Sequence, residues 1–120
     1  MTSPSGVDQR FRSAYRLRKT DEYSSVFAFR RALKGRFFIL HHRPNELDTA
    51  RLGVVVAKKL AKRANVRNLV KRIVREQFRK MRVALPAHDL IVRLHAPVGM
   101  ATRAMLNDDV VQLLGRLRGS

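Results

Sequence analysis

The carboxylates and histidines of this chain are the residues that could support hydrolytic or metal chemistry. Its 120 residues include nine Asp and Glu, four His and no Cys. A protein nuclease needs carboxylates gathered around metal ions, or a paired acid and base. Here Asp21-Glu22 and Asp108-Asp109 fall in the first turns of predicted helices, where interaction with the helix dipole explains them. The adjacent His41 and His42 point to opposite faces of a predicted strand and cannot share a metal ion. We therefore predict no catalytic residue and no metal ligand in the protein, which favours a binding role.

The basic residues are far more numerous than the acids and are concentrated in one stretch. The formal net charge is +17, and eleven of the 26 Lys and Arg lie between Lys58 and Arg82. From Asn65 onward, apolar and basic residues alternate with the period of a helix and occupy opposite faces. The apolar face contains Val66, Leu69, Val70, Ile73, Val74 and Met81. The basic face, as we call it below, contains Lys71, Arg72, Arg75, Arg79 and Arg82.

Like charges spaced four residues apart destabilise a helix by a few tenths of a kcal/mol each. Arg67, Lys71, Arg75 and Arg79 have this spacing. A polyanion that neutralises them is the simplest reason for their presence, so a nucleic acid is the first partner expected. An ordinary solvated helix face is the alternative, although such faces usually carry more acid.

A second candidate surface combines aromatic and basic side chains. Aromatic rings beside guanidinium groups hold unpaired RNA, because bases stack on the rings while the cations follow the phosphates. Each element must also bury one face, so Phe29 and either Phe37 or Phe38 are expected in the core. For Tyr23 and Phe27, which share a helical face, core and cleft wall both remain possible. The group comprises Tyr23, Phe27, Phe29, Phe37, Phe38 and His41, with Arg30, Arg31, Lys34 and Arg36.

The elements that must position these residues follow from periodicity and turn signals. Residues 1–14 are predicted to be a disordered basic leader, and 15–120 a single RNA-binding domain. We first predict a helix over 20–32, with Thr20 as N-cap and Gly35 beyond its end, and then two strands over 36–42 and 51–57 that pair as a hairpin. A helix follows from an Asn65 N-cap to about Arg82. The last two elements are a strand over 88–95 and a helix capped by Thr102. This order suggests an α+β sandwich. No apolar span is long enough for a membrane helix, so we expect a cytoplasmic protein without a membrane partner.

The segment from Ala57 to Arg79, AKKLAKRANVRNLVKRIVREQFR, resembles the signature of the bacterial ribonuclease P protein family. LRKTDEYSSVF resembles the opening helix of that family, RLGVVVAKK its central strand and LPAHDLIVRL its last strand. The resemblance implies an α/β sandwich of the ribosomal protein S5 domain 2-like type, with a mixed sheet of about four strands and three helices. It also implies a left-handed β-α-β crossover from 51–57 through the basic helix to 88–95, an exception to the usual right-handed rule.

The resemblance further implies a function. The family's protein is the noncatalytic subunit of a ribonucleoprotein whose RNA hydrolyses one phosphodiester bond of precursor tRNA and releases the 5′ leader. Its partners are the catalytic RNA and precursor tRNA, with one monomeric protein for each RNA and Mg²⁺ bound mainly by the RNA. The alternatives from the residues themselves are a ribosomal or nucleoid-type nonspecific nucleic-acid-binding protein and, less in keeping with the scattered acids, a protein nuclease.

Site residues are carried over by the same resemblance. Those expected to contact the catalytic RNA are Lys62, Arg63, Arg67, Asn68, Lys71, Arg72, Arg75 and Arg79. Those expected to contact the precursor leader are Tyr23, Phe27, His41, Val56, Lys58 and Lys59. Two positions depart from the family pattern. Leu69 stands where an arginine is usual, and His41 stands where tyrosine is frequent and offers less apolar area for stacking.

Overall fold

A computed structural model describes residues 15–119 of the chain; the predicted leader, 1–14, lies outside the described residues. The elements in chain order are α1 (Thr20–Phe29), β1 (Ala32–Lys34), β2 (Phe38–Pro44), β3 (Arg51–Val55), α2 (Ala64–Met81), a 3-10 turn (Arg82–Ala84), β4 (His88–Leu94) and α3 (Arg103–Arg118). The predicted α+β class and its three helices are confirmed. The short strand β1 is an addition that the sequence patterns did not indicate.

The four strands form one mixed sheet in the order β1-β2-β4-β3. β4 is antiparallel to β2 and parallel to β3. The predicted hairpin between 36–42 and 51–57 is therefore wrong, because β4 lies between these strands. All four residues from Asp89 to Val92 are buried, and a strand buried on both faces suits an interior position in the sheet. The parallel β3-α2-β4 connection is the expected crossover unit, and its left-handedness stays a prediction.

The helices cover both faces of the sheet. Period-two alternation sends Phe38, Leu40, Leu90 and Val92 to one face, where they join the core formed with α2 and α3. Ile91 points to the opposite face and packs with residues that include Val26 of α1. The apolar face predicted for α2 is confirmed by the burial of Val70, Ile73 and Val74. Phe78, which the prediction did not include, is buried with them. The basic face of α2 is consequently turned away from the core.

The observed helix ends differ from those predicted. α1 stops at Phe29 because Arg30 adopts the left-handed conformation, with φ 62°, and its N–H bonds to the Phe27 carbonyl. The N-cap positions are Lys19 and Arg63, one or two residues before the predicted Thr20 and Asn65. Thr102 caps α3 as predicted, since its side chain accepts the Met105 N–H.

Asp109 has a different role from the dipole interaction predicted for it. Its carboxylate is buried, and it accepts the backbone N–H groups of Arg36, Phe37 and Phe38 at 2.8, 2.9 and 3.0 Å. Gly35 is required here because a Cβ at this position would lie 2.6 Å from Asp109 Oδ1. α3 thereby holds the turn between β1 and β2, which orients β2 in the sheet.

Candidate RNA-binding surfaces

The first candidate surface lies where α1 crosses the sheet beside the rings of Phe27 and His41, and we call it the cleft below. Their ring centroids are 4.7 Å apart and the rings meet edge to face at 74°. Phe27 is 38% exposed, so it belongs to an open wall and not to the core. Phe37 and Phe38 are buried as expected, but the expectation that Phe29 is buried is wrong, since it is 42% exposed.

Tyr23 supports the cleft through close packing between α1 and β3. Its ring lies against Gly53, where an added Cβ would meet the Tyr23 hydroxyl at 2.6 Å. The hydroxyl also forms a hydrogen bond with the backbone of Val54, and burial raises the pKa of Tyr23. The phenol is therefore neutral at physiological pH and fixed in place. It fixes the packing of α1 against β3 beside the cleft.

One residue predicted to face the cleft lies elsewhere. Val56 follows the end of β3 and packs against the core that α2 and α3 cover. Its neighbour Val55 packs with Tyr23 and Val26 on the α1 side. Because successive strand residues point to opposite faces, Val55 replaces Val56 beside the cleft. Lys58 and Lys59 are exposed in the turn just beyond.

Arg93 is a cleft residue that the sequence patterns did not identify. Its Nε lies 3.4 Å from His41 Nε2 and donates to it, which leaves the imidazole proton on Nδ1. Burial, and then the Arg93 guanidinium, lower the pKa of His41, so the ring is neutral at pH 7. The cleft floor thus combines a neutral aromatic ring with a fixed cation. The alternation of side chains along β4 indicates which face of the sheet Arg93 occupies. Its proximity to His41 follows only from the pairing of β2 with β4.

A partly buried ion-pair network, in which Asp89 is the most buried member, attaches α1 to the sheet. The guanidinium of Arg51 bonds to both carboxylate oxygens of Asp89, at 2.9 and 2.8 Å, and to Glu22 of α1 at 3.0 Å. Asn45 donates a further bond to Asp89. The backbone N–H groups of Lys19 and Arg18, followed by Arg51, lower the pKa of Glu22 to about 2. Glu22 is therefore ionised throughout the physiological range.

The second candidate surface is the basic face of α2 together with the loop that precedes it. The residues predicted to contact the catalytic RNA are half-buried or exposed. Lys62, Arg63, Asn68 and Arg72 are exposed, and Arg67, Lys71, Arg75 and Arg79 are half-buried. Leu69, at the departure from the family pattern, packs partly against the core. The members of the set that belong to α2 share one side of the helix, as its period requires, and Lys62 and Arg63 lie just before it.

Two of these arginines also have structural roles. Nη1 of Arg67 donates to the carbonyls of Ala61 and Lys62 at 2.9 and 2.8 Å, which closes the loop before α2. Arg79 forms an ion pair with Glu76 one turn away. Each therefore has less of its donor capacity available for RNA than the exposed Arg72 has.

The basic face meets the chain segment that leads into α1. Burial and the neighbouring Arg16 lower the pKa of Arg75, which also interacts with Tyr23. Near the end of α2, the Arg82 guanidinium stacks on the Tyr15 ring at 3.9 Å. Crowded cations at this edge favour an anion bound there, and the edge links the basic face to the cleft.

Metal-ligating groups do not gather anywhere between residues 15 and 119. In that part of the chain, no three His, Asp or Glu side chains lie close enough together to hold a metal ion. In the same range, no helix has the length and apolar character needed to cross a membrane.

Comparison with known proteins decides the family. The model of the ribonuclease P family matches residues 11–118. The chain belongs to this family. The ribonuclease P protein component of Aromatoleum aromaticum is 82% identical over 118 residues, covering 98% of this chain and 99% of that protein. The corresponding protein of an Azoarcus species is 75% identical over 117 residues, covering 98% of each chain.

Solved ribonuclease P proteins share the fold. The Staphylococcus aureus protein superposes with a TM-score of 0.80 at 30% identity, covering 87% of this chain and 95% of that one. The Thermotoga maritima protein gives 0.73 at 29% identity, covering 84% and 96%. The chain is thus a protein component of ribonuclease P and part of the ribonucleoprotein that processes tRNA. This family assignment sets aside the alternative of a nonspecific packaging protein.

Proposed function

We propose that this chain is the noncatalytic subunit of ribonuclease P, which grips the 5′ leader of precursor tRNA in the α1 cleft and the catalytic RNA through the basic face of α2. The observation that carries the proposal is the open wall formed by Phe27, 38% exposed and edge to face with His41. An aromatic pair with one exposed ring, next to an arginine, is suited to an unpaired nucleotide, because it offers a stacking surface and a phosphate partner together.

We propose a separate part for each cleft residue. Phe27 supplies the stacking surface, and His41, neutral and protonated on Nδ1, supplies a ring with one hydrogen-bond donor. Arg93 lies at the floor next to His41, and the exposed Lys58 and Lys59 follow the end of β3. These cations suit the phosphates on either side of a stacked base.

Catalysis is proposed to belong to the RNA, with Mg²⁺ bound mainly there. Support comes from how the chain uses its acids: Asp89 is bound to Arg51, Asp109 to backbone N–H groups, and Glu76 to Arg79. These carboxylates are committed to holding the fold and do not fit a metal site of their own. The cations of α2 would lower the repulsion between the two RNA molecules, so that the complex forms at lower Mg²⁺ concentration. We place this 1:1 complex of protein monomer and RNA in the cytoplasm.

The test is reconstitution with a bacterial ribonuclease P RNA at limiting Mg²⁺. The protein should increase 5′ cleavage of precursor tRNA and should favour precursor over mature tRNA in binding. No gain in cleavage at any protein concentration would contradict the proposal.

A matched pair of aromatic variants tests the cleft itself. Phe27→Ala should weaken precursor discrimination by about 5- to 150-fold, since a stacked base contributes roughly 1 to 3 kcal/mol. Phe29→Ala removes an equally exposed ring from α1, one that contacts Arg31 and not His41, and should change discrimination less than twofold. Equal losses in the two variants would show that the Phe27 wall has no particular role.

A further inference from the structure

A groove between α2 and α3 contains residues to which the proposed function assigns no role, apart from Arg72 of the basic face. Its volume is about 410 Å³, and its lining residues are Arg72, Ile73, Glu76, Gln77, Lys80, Arg103, Ala104 and Asn107. Sites for small ligands typically enclose roughly 300 to 1,000 Å³. Because α2 and α3 cover the face of the sheet opposite to α1, the groove lies away from the Phe27 cleft.

The mouth of the groove is positively charged. Arg72 and Lys80 project from α2 and Arg103 from α3, and all three are exposed. Glu76 is the one acid among the lining residues, and it is bound to Arg79. Cations on two helices that flank one groove are suited to bind a phosphate group.

The floor of the groove combines an apolar surface with a pair of amides. The buried Ile73, 6% exposed, and the exposed Ala104 are the apolar residues of the lining. Gln77 Nε2 donates to Asn107 Oδ1 at 2.7 Å, which bridges α2 and α3. This bond uses neither the Gln77 carbonyl oxygen nor the Asn107 amino group. The pair therefore still offers one acceptor and one donor. Such a pair can match the hydrogen-bonding edge of a nucleobase.

We propose that this groove binds an unpaired nucleotide of the catalytic RNA. The base would lie on Ile73 and Ala104 with its edge toward the two amides, and its phosphodiester would contact the cations at the mouth. The proposal rests on the proposed function, because it requires a catalytic RNA as partner. We assign the nucleotide to that RNA and not to precursor tRNA because Arg72 belongs both to the groove and to the basic face, whereas the leader cleft opens on the other side of the sheet.

Three variants separate a fitted site from general electrostatic attraction. Ala104→Trp fills the groove without changing charge and should weaken binding to the catalytic RNA by about 5- to 150-fold, the loss expected for one stacked base. Arg103→Ala should weaken binding and lower the slope of log affinity against log salt by about one contact. Arg118→Ala is the control, an exposed cation on the same helix that lies outside the groove, and it should change affinity less than about twofold.

Ala104 is exposed, so the Trp variant should fold, and a melting curve checks this. If it does not fold, Asn107→Leu, which removes the amide while keeping the side-chain volume similar, should give a weakening in the same direction. Equal effects of Arg103→Ala and Arg118→Ala, or wild-type affinity in folded Ala104→Trp, would overturn the proposal.

Crosslinking identifies which RNA occupies the groove. The chain contains no cysteine, so Ala104→Cys gives a single attachment point for an azidophenacyl photoreactive group. In the complex with precursor tRNA, the expected crosslink joins position 104 to an unpaired nucleotide of the catalytic RNA. A crosslink to precursor tRNA alone, or to no RNA, would overturn the assignment. If the wild-type protein did not bind the catalytic RNA at all, the proposed function itself would fail, and the two failures are thereby distinguished.

Discussion

Replacement of Arg51 by methionine should detach α1 from the sheet and lower stability sharply. The guanidinium donates to both oxygens of Asp89 and to Glu22. Methionine keeps much of the side-chain volume but provides no charge and no N–H donor. Asp89 is 3% exposed, so in the variant a buried carboxylate loses its cation.

The structure sets the size of the loss. Breaking a buried ion pair by removing one partner costs about 3 to 5 kcal/mol, because the remaining charge is neither hydrated nor compensated. The bond that Asn45 donates to Asp89 is retained and offsets a part of this, so we expect about 3 kcal/mol. For a domain of this size, that loss corresponds to a fall in melting temperature of roughly 10 to 20 °C.

Urea denaturation monitored by circular dichroism measures the change in the free energy of unfolding. The control is Arg79→Met, because Arg79 pairs with a Glu76 side chain that is 46% exposed, and exposed pairs contribute about 1 kcal/mol or less. Leader binding should weaken in Arg51→Met under conditions where the variant is still folded, because α1 carries Phe27. A loss below about 1 kcal/mol, equal to that of the control, would refute the conclusion that this network anchors α1.

Three further predictions follow from the polar contacts. Asp109→Ala should lower the free energy of unfolding by about 3 to 5 kcal/mol because three backbone N–H groups lose their acceptor, whereas Asp108→Ala, its exposed neighbour, should cost little in the same denaturation experiment. The folded-state pKa of Glu22, about 2, lies below its ordinary value of 4.5. Its contribution to stability is therefore complete above pH 4.5 and is lost as pH falls toward 2. Glu22→Gln should flatten this part of the curve of unfolding free energy against pH. Arg93→Leu should raise the pKa of His41, which an NMR titration of the imidazole would show, and an unchanged pKa would contradict the contact.

The sequence alone determined the features that depend on local periodicity and composition. The 3.6-residue repeat from Val66 to Met81 specified which side of α2 is buried, because a helix fixes the relative directions of its own side chains. The excess of Lys and Arg over acids indicated a polyanionic partner, since net charge is a property of composition. The resemblance of 57–79 to the ribonuclease P signature then named the family that the comparisons confirmed.

Only the tertiary structure decided which distant residues meet. Asp109 and the N–H groups of 36–38 are more than 70 positions apart, and nothing in the local pattern of either segment indicates the other. The same holds for Arg93 and His41, whose contact depends on the pairing of β2 with β4, and for the groove that α2 forms with α3. Strand order was mispredicted for this reason: a hairpin is the choice that neighbours in sequence favour, whereas burial of β4 on both faces is a property of the whole sheet.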